Sequence, residues 1–257
     1  MDHALPHPNP PVPAPRVRAV EPSRPFVWLR RGWDDFVHLR NAALTYGVLI
    51  MVAGFVLLLA AWNLVYLVPA LVGGFLLVAP FAAIGLYAMA QQLEAGREVS
   101  LAQADAAWRR NAGSIALFGL LLTLALILWE RTAAIVFALS FGGNVPDLSN
   151  LVHDLLLSGR HLPLLLAFMA AGALYAAAVF MLSAVTAPML LDRPVDVITA
   201  VLTSVRCCVA NPAAMLLWAV LIALLTAIGF ATLMLGLLVI FPWLGFASWH
   251  AYRDLVD

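Results

Sequence analysis

Apolar positions run through this chain in long unbroken stretches, not in the strict alternation of a half-buried strand. Residues 41–93 contain no Asp, Glu, Lys or Arg, and neither do residues 207–252. As straight helices these stretches would reach about 80 and 69 Å at roughly 1.5 Å per residue, against a hydrocarbon layer about 30 Å thick. Each must fold back on itself as a helical hairpin. The pattern predicts spans near 43–62 and 66–90, turning at Trp62-Asn63, and spans near 212–230 and 232–250, breaking near Gly229. The uncharged stretches 111–129 and 161–191 predict two more, near 112–130 and 162–190. Segment 132–141 is apolar but too short to cross alone, so it extends the helix before it, lies at the interface or re-enters. The predicted fold class is all-α: a polytopic membrane bundle of six transmembrane helices, forming one domain over residues 26–257.

Arginine placement orients the bundle. All 14 basic residues are Arg. With six spans, twelve of them fall on the side of the N-terminus and two, Arg131 and Arg160, on the other; a seventh span would make it ten against four. The positive-inside rule selects six spans with both termini cytoplasmic. That arrangement suits the inner (plasma) membrane of a bacterium.

Between the spans the pattern changes to the 3.6-residue period. Phe26, Leu29, Trp33, Phe36 and Val37 recur at helical spacing, with Arg30, Arg31, Asp34 and Asp35 left to water. Ser100 to Gln103 has the form of a capping box, and a third amphipathic segment carries Ile198, Val201, Leu202, Val205 and Cys208. Each segment runs into an asparagine, at Asn41, Asn111 and Asn211, followed by Ala or Pro, a good N-cap for the helix that enters lipid. Each unit's second span carries a late proline, Pro80, Pro188 or Pro242. The pattern fits a threefold internal repeat, and equally three independent entries of an ordinary six-span chain. Under either reading the amphipathic segments lie along the inner leaflet.

Composition agrees and narrows the classes. Of 257 residues, 64% are hydrophobic and 11% charged, too few polar side chains to cover a soluble domain of this size. Zero net charge leaves no electrostatic footprint for nucleic acid. Half of the 16 prolines lie in the first 25 residues, which predicts a disordered cytoplasmic tail over 1–25. The adjacent Cys207 and Cys208 are poorly placed to form a disulfide with one another and too few for a structural zinc set.

Ionisable residues inside a span are the usual pointer to function. Only Glu130, Arg131 and His250 qualify, and each has a plainer role: an interfacial ion pair for the first two, an aromatic-belt position beside Trp249 and Tyr252 for the third. Haem and catalytic zinc need more histidines than the spans supply, and no hydrolase or nucleotide motif is present. The expectation is a protein without catalytic, cofactor or metal residues, and not an enzyme. Gly47, Gly54, Gly73, Gly74 and Gly85 are expected at close helix contacts.

Three stretches carry a resemblance: Gly32 to Phe36, Pro80 to Tyr87, and Pro242 to Leu255. Together they resemble the DUF2189 family of bacterial predicted integral membrane proteins, from about Pro25 to the C-terminus. The resemblance implies an inner-membrane protein with no catalytic residues to carry over. Some members bear the description of cytochrome c oxidase components. The histidine set of a haem–copper subunit is absent here, which leaves an accessory or assembly role in a larger membrane complex such as a respiratory oxidase. The alternative is a channel or carrier for a small, weakly polar solute or lipid. Besides the bilayer, the expected partner is that larger complex; oligomeric state is not fixed by the sequence.

Overall fold

The computed structural model describes residues 15–61, 79–80, 82–99, 109–141 and 162–257. The turn expected at 62–63, the first half of the span expected at 66–90, the capping pattern at 100–103 and the loop at 142–161 lie outside them. Among the described residues the chain is helical, with one isolated β-bridge between Val17 and Val256.

Helix α1 (Arg24–His38) opens on Pro25. Its apolar residues form two sectors: Trp28, Gly32 and Phe36 are buried, while Phe26, Trp33 and Val37 are exposed. At Leu39 the chain turns through 103° into α2 (Arg40–Ala61). The bend falls where a one-sided pattern gives way to apolar residues all round, so a helix made for a surface meets one made to leave it. Helix α3 (Ile84–Glu94) follows a break at Ala83. Helix α4 (Ala112–Phe141) runs on through 132–141, so that segment is a helix extension. Its 30 residues reach about 45 Å, more than a bilayer core.

Helices α5 (Leu162–Ser183) and α6 (Thr186–Asp192) are separated by two residues. Helix α7 (Val197–Ala210) is capped by Asp196, which accepts the Thr199 amide at 2.9 Å. Like α1, it buries one face, through Ala200, Ser204 and Cys207, and exposes Ile198, Leu202 and Val209. Helix α8 (Pro212–Ala231) ends in a turn that carries Leu233 and Met234 at positive φ, a few residues beyond the break expected at Gly229. Helix α9 (Leu237–Leu255) completes the chain.

By length and composition three helical segments can cross a membrane, Ala112–Val136, Leu166–Asp192 and Pro212–Ala231, and a fourth if α1 and α2 count as one bent span. They turn leucines outward, such as Leu120 and Leu128 on α4, Leu174 on α5 and Leu224 on α8. Helix α9 is the opposite: it is wrapped by α1, α2, α3, α6 and α8 and buried on every side. Glycine makes this possible. A Cβ on Gly32 would stand 2.5 Å from the Ala247 nitrogen, and one on Gly47 would strike the Leu238 carbonyl, so α1 and α2 approach α9 backbone to backbone.

Two sequence expectations need correction. The tail predicted to be disordered through residue 25 is held from Pro15 onward: Arg18 N–H donates to the Leu255 carbonyl and Asp257 N–H to that of Arg16, both at 2.9 Å. Both described ends of the chain therefore lie side by side on one face of the bundle. The asparagines, secondly, do not cap. Asn211 is buried; its Oδ1 accepts the Val20 amide at 2.7 Å, and its Nδ2 donates to the Arg18 carbonyl at 2.9 Å and that of Cys207 at 3.2 Å. Asn111 Nδ2 reaches the carbonyls of Leu190 at 3.0 Å, Val195 at 2.9 Å and Arg193 at 3.3 Å. Asn41 sits in the first turn of α2, where its carbonyl accepts the Thr45 hydroxyl. The extended segments before α1 and α7 bring backbone polar groups against the bundle, and a side-chain amide, donor and acceptor at once, can satisfy both kinds.

Candidate functional site

Because an α-helix turns about 100° per residue, a helix at the centre of a bundle presents consecutive residues to different neighbours. The last turns of α9 do this with polar tips. Trp249 Nε1 donates to Glu94 of α3 at 2.9 Å, and His250 Nε2 lies 2.8 Å from Asp35 of α1. The Tyr252 hydroxyl donates to Asp192 of α6 at 2.6 Å and accepts from Arg193 Nε at 2.8 Å. Asp254 accepts from Arg24 Nε at 2.7 Å and from the indole of the fully buried Trp28 at 2.8 Å. Burial works to raise the Asp254 carboxyl, but the bonds from Arg24 and Trp28 and the charges of Arg24 and Arg31 outweigh it and hold the group below the usual carboxylate range. Burial pushes the Tyr252 phenol well up, and its bond to Asp192 adds to the shift. Together these ties form a polar floor that fastens α1, α3 and α6 to α9.

The floor uses one of the three candidates read from sequence. His250 belongs to it as the partner of Asp35. Glu130 and Arg131 pair with each other at 3.3 Å within α4, well before its end. The three do not converge. The floor's other members, outside the three candidates, are the acidic set Glu94, Asp192 and Asp254. Each sits at or near a helix C-terminus, where a negative charge opposes the helix dipole, and such a charge needs a partner from elsewhere. That misfit was the available signal.

Above the floor lies a cavity of about 240 Å³ bounded by α3, α5, α8 and α9. Tyr87, Ser183, Trp218 and Ser248 stand at its lower end; Val179, Ile222, Ile240 and Phe241 line its sides. Trp218 is fixed from behind by an edge-on contact with Trp28, ring centres 5.7 Å apart. Among the described residues no group of His, Cys, Asp and Glu is arranged to hold a metal.

On α7 both cysteines are buried, and burial pushes the Cys207 thiol up to about 12 and that of Cys208 to about 11. Thiolate is the reactive form, so neither should react with a membrane-impermeant maleimide at pH 8 while the protein is folded. Mass spectrometry before and after denaturation checks this. Full protection followed by labelling on unfolding is expected, which would leave the native chain a silent background for cysteine scanning.

An all-helical body with outward leucines on several long helices, and a floor of paired polar groups at one end, defines an integral membrane protein. Residues 66–192 match the model of the DUF2189 family, described as a predicted integral membrane protein. The match includes Pro80 to Tyr87 but not the stretches at 32–36 and 242–255, so it is shorter than the resemblance drawn from sequence. No curated protein and no solved structure matches the chain.

Proposed function

We propose that the protein is a non-enzymatic accessory or assembly component of a larger membrane complex in a bacterial inner membrane, with the polar floor and both chain ends in the cytoplasm. The observation that carries this reading is α5. It packs on α4, α6 and α7 and scarcely on α8 or α9, and half of its described side chains are exposed. Along that face Ala167, Ala170, Ala173 and Ala177 follow at helical spacing, all exposed. Small residues let a second helix approach closely in lipid, and association there depends on such packing. Ala170→Leu with Ala177→Leu should abolish co-purification of a partner complex in mild detergent without lowering the yield of the protein. A respiratory oxidase is the first complex to assay. A protein that migrates alone from native membranes, with its deletion leaving membrane complexes unchanged, would end this reading.

The six-span count and the threefold repeat belong to the same proposal. Asn111 grips Arg193 to Val195, and Asn211 grips Arg18 to Val20, two segments of the form Arg-x-Val that precede α7 and α1. A third such segment, Arg97 to Val99, follows α3, and Val99 borders the same surface hollow as Asn41. Each unit's asparagine thus stands at the entry strap of the next, in cyclic order. The cavity supports a second reading, a carrier for a weakly polar solute or lipid, which predicts solute flux in proteoliposomes that Ala176→Trp blocks.

A further inference from the structure

We propose that the cavity between α5 and α8 is a binding site for one acyl chain of a membrane phospholipid, which enters sideways from the bilayer. This shares its cavity with the carrier reading but concerns a resident ligand, and it stands without transport or a partner complex.

Shape is the first argument. The wall on α9 extends from Leu237 to Ser248, about 16 Å along a helix, so the space is a slot parallel to the helices. At about 240 Å³ it exceeds the engineered apolar cavity of roughly 150 Å³ that stays dry and takes up benzene. Chemistry is the second. The Ser183 hydroxyl donates to the Val179 carbonyl at 2.8 Å, and that of Ser248 donates to the Leu244 carbonyl at 2.7 Å. The two serine hydroxyls are engaged with their own helices, and among the described residues no charged side chain lines the slot. A phosphate or carboxylate would lose its hydration there without recompense, whereas hydrocarbon loses nothing on leaving the bilayer and gains packing against the walls.

Access is the third. Since α5 and α8 hardly touch, the slot faces the lipid between them, with Ala176 exposed at its lip and Ile222 half-exposed opposite. The polar floor closes the lower end, so the head group stays outside at that level while the chain enters between Ala176 and Ile222 and runs up along α9 past Phe241 and Ile240.

The test uses the full-length protein in vesicles of phosphatidylethanolamine and phosphatidylglycerol, doped with a phosphatidylcholine that carries a diazirine near the end of one acyl chain. After illumination, cross-linked peptides are mapped. Label is expected on Val179, Phe180 and Ile222, and Ala176→Trp should abolish it while sparing label on the outward Leu120 and Leu128. Ile222→Trp provides the same closure from the opposite wall if the first variant does not fold. Native mass spectrometry should show a phospholipid-sized adduct on the parent protein that is missing from the closed variant. Label confined to outward-facing residues, label unchanged by closure, or an adduct of fatty-acid mass would each overturn the assignment.

Discussion

Asn111→Asp should destabilise the folded protein as much as Asn111→Ala does, by about 2–4 kcal/mol. As a helix cap the position should accept aspartate without loss, because Asp and Asn cap almost equally well. The structure gives the residue a different task. Its Nδ2 donates to the carbonyls of Leu190, Arg193 and Val195, at the join of α6 and α7. A carboxylate has no hydrogen to give and would turn negative oxygens toward three carbonyl oxygens. Asn211 supplies the control, since there Oδ1 also accepts the Val20 amide. Asn211→Asp keeps that bond and loses the donations to Arg18 and Cys207, so its loss should be smaller than that of Asn211→Ala. Thermal unfolding in detergent measures the series. Trypsin cleavage after Arg18 reports release of the strap itself. Tolerance of aspartate at residue 111 would restore the capping interpretation.

Long apolar helices were legible because uninterrupted apolar runs have few other outcomes in a chain this poor in charge. The 103° bend at Leu39 was legible for a related reason, a change of period. Which helix lies inside was not read from the run 207–252, although α9 carries a signal. Trp249, His250, Tyr252 and Asp254 spread polar tips over more than half of its circumference. A helix facing lipid or water on any part of that arc would leave some of those tips without partners, so only a central position serves them all. Residues 15–25 are ordered although proline content over 1–25 predicts disorder, because composition taken over 25 residues hides a local pattern. Residues 16–21 contain no proline and read Arg-Val-Arg-Ala-Val-Glu, enough for a short pairing with the C-terminal end.

The asparagines show a different limit. Asn before Ala or Pro satisfies the local rule for a cap, and nothing within ten residues argues otherwise. The competing demand comes from backbone groups nearly 80 residues away for Asn111 and more than 190 away for Asn211. Local statistics cannot weigh it. Glu130 and Arg131 were placed at a helix end for an equally local reason, and α4 simply runs past them. Gly47 was read as a close contact and is one, since a missing side chain has the same consequence whichever neighbour fills the space.

Asp254→Ala should cost about 3 kcal/mol, the largest loss expected from a single change in the polar floor. The carboxylate is shielded, with 15% of its side chain exposed, and removing it strips the acceptor from the indole of Trp28, which has no exposure at all. It also leaves Arg24 and Arg31 facing one another without the negative charge between them. Asp254→Asn retains an oxygen for Trp28 and should lose about half as much. The pH dependence separates charge from hydrogen bonding. The carboxyl titrates lower in the folded protein than its ordinary 3.8, so its stabilisation is complete above that value and fades as the pH falls through the folded pKa. The stability gap between the parent protein and Asp254→Asn should therefore be flat above about pH 5 and narrow below 3.8. A gap that stays constant to pH 3 would mean that Asp254 acts through its shape and hydrogen bonds alone, and that the arginines of α1 are not held by charge.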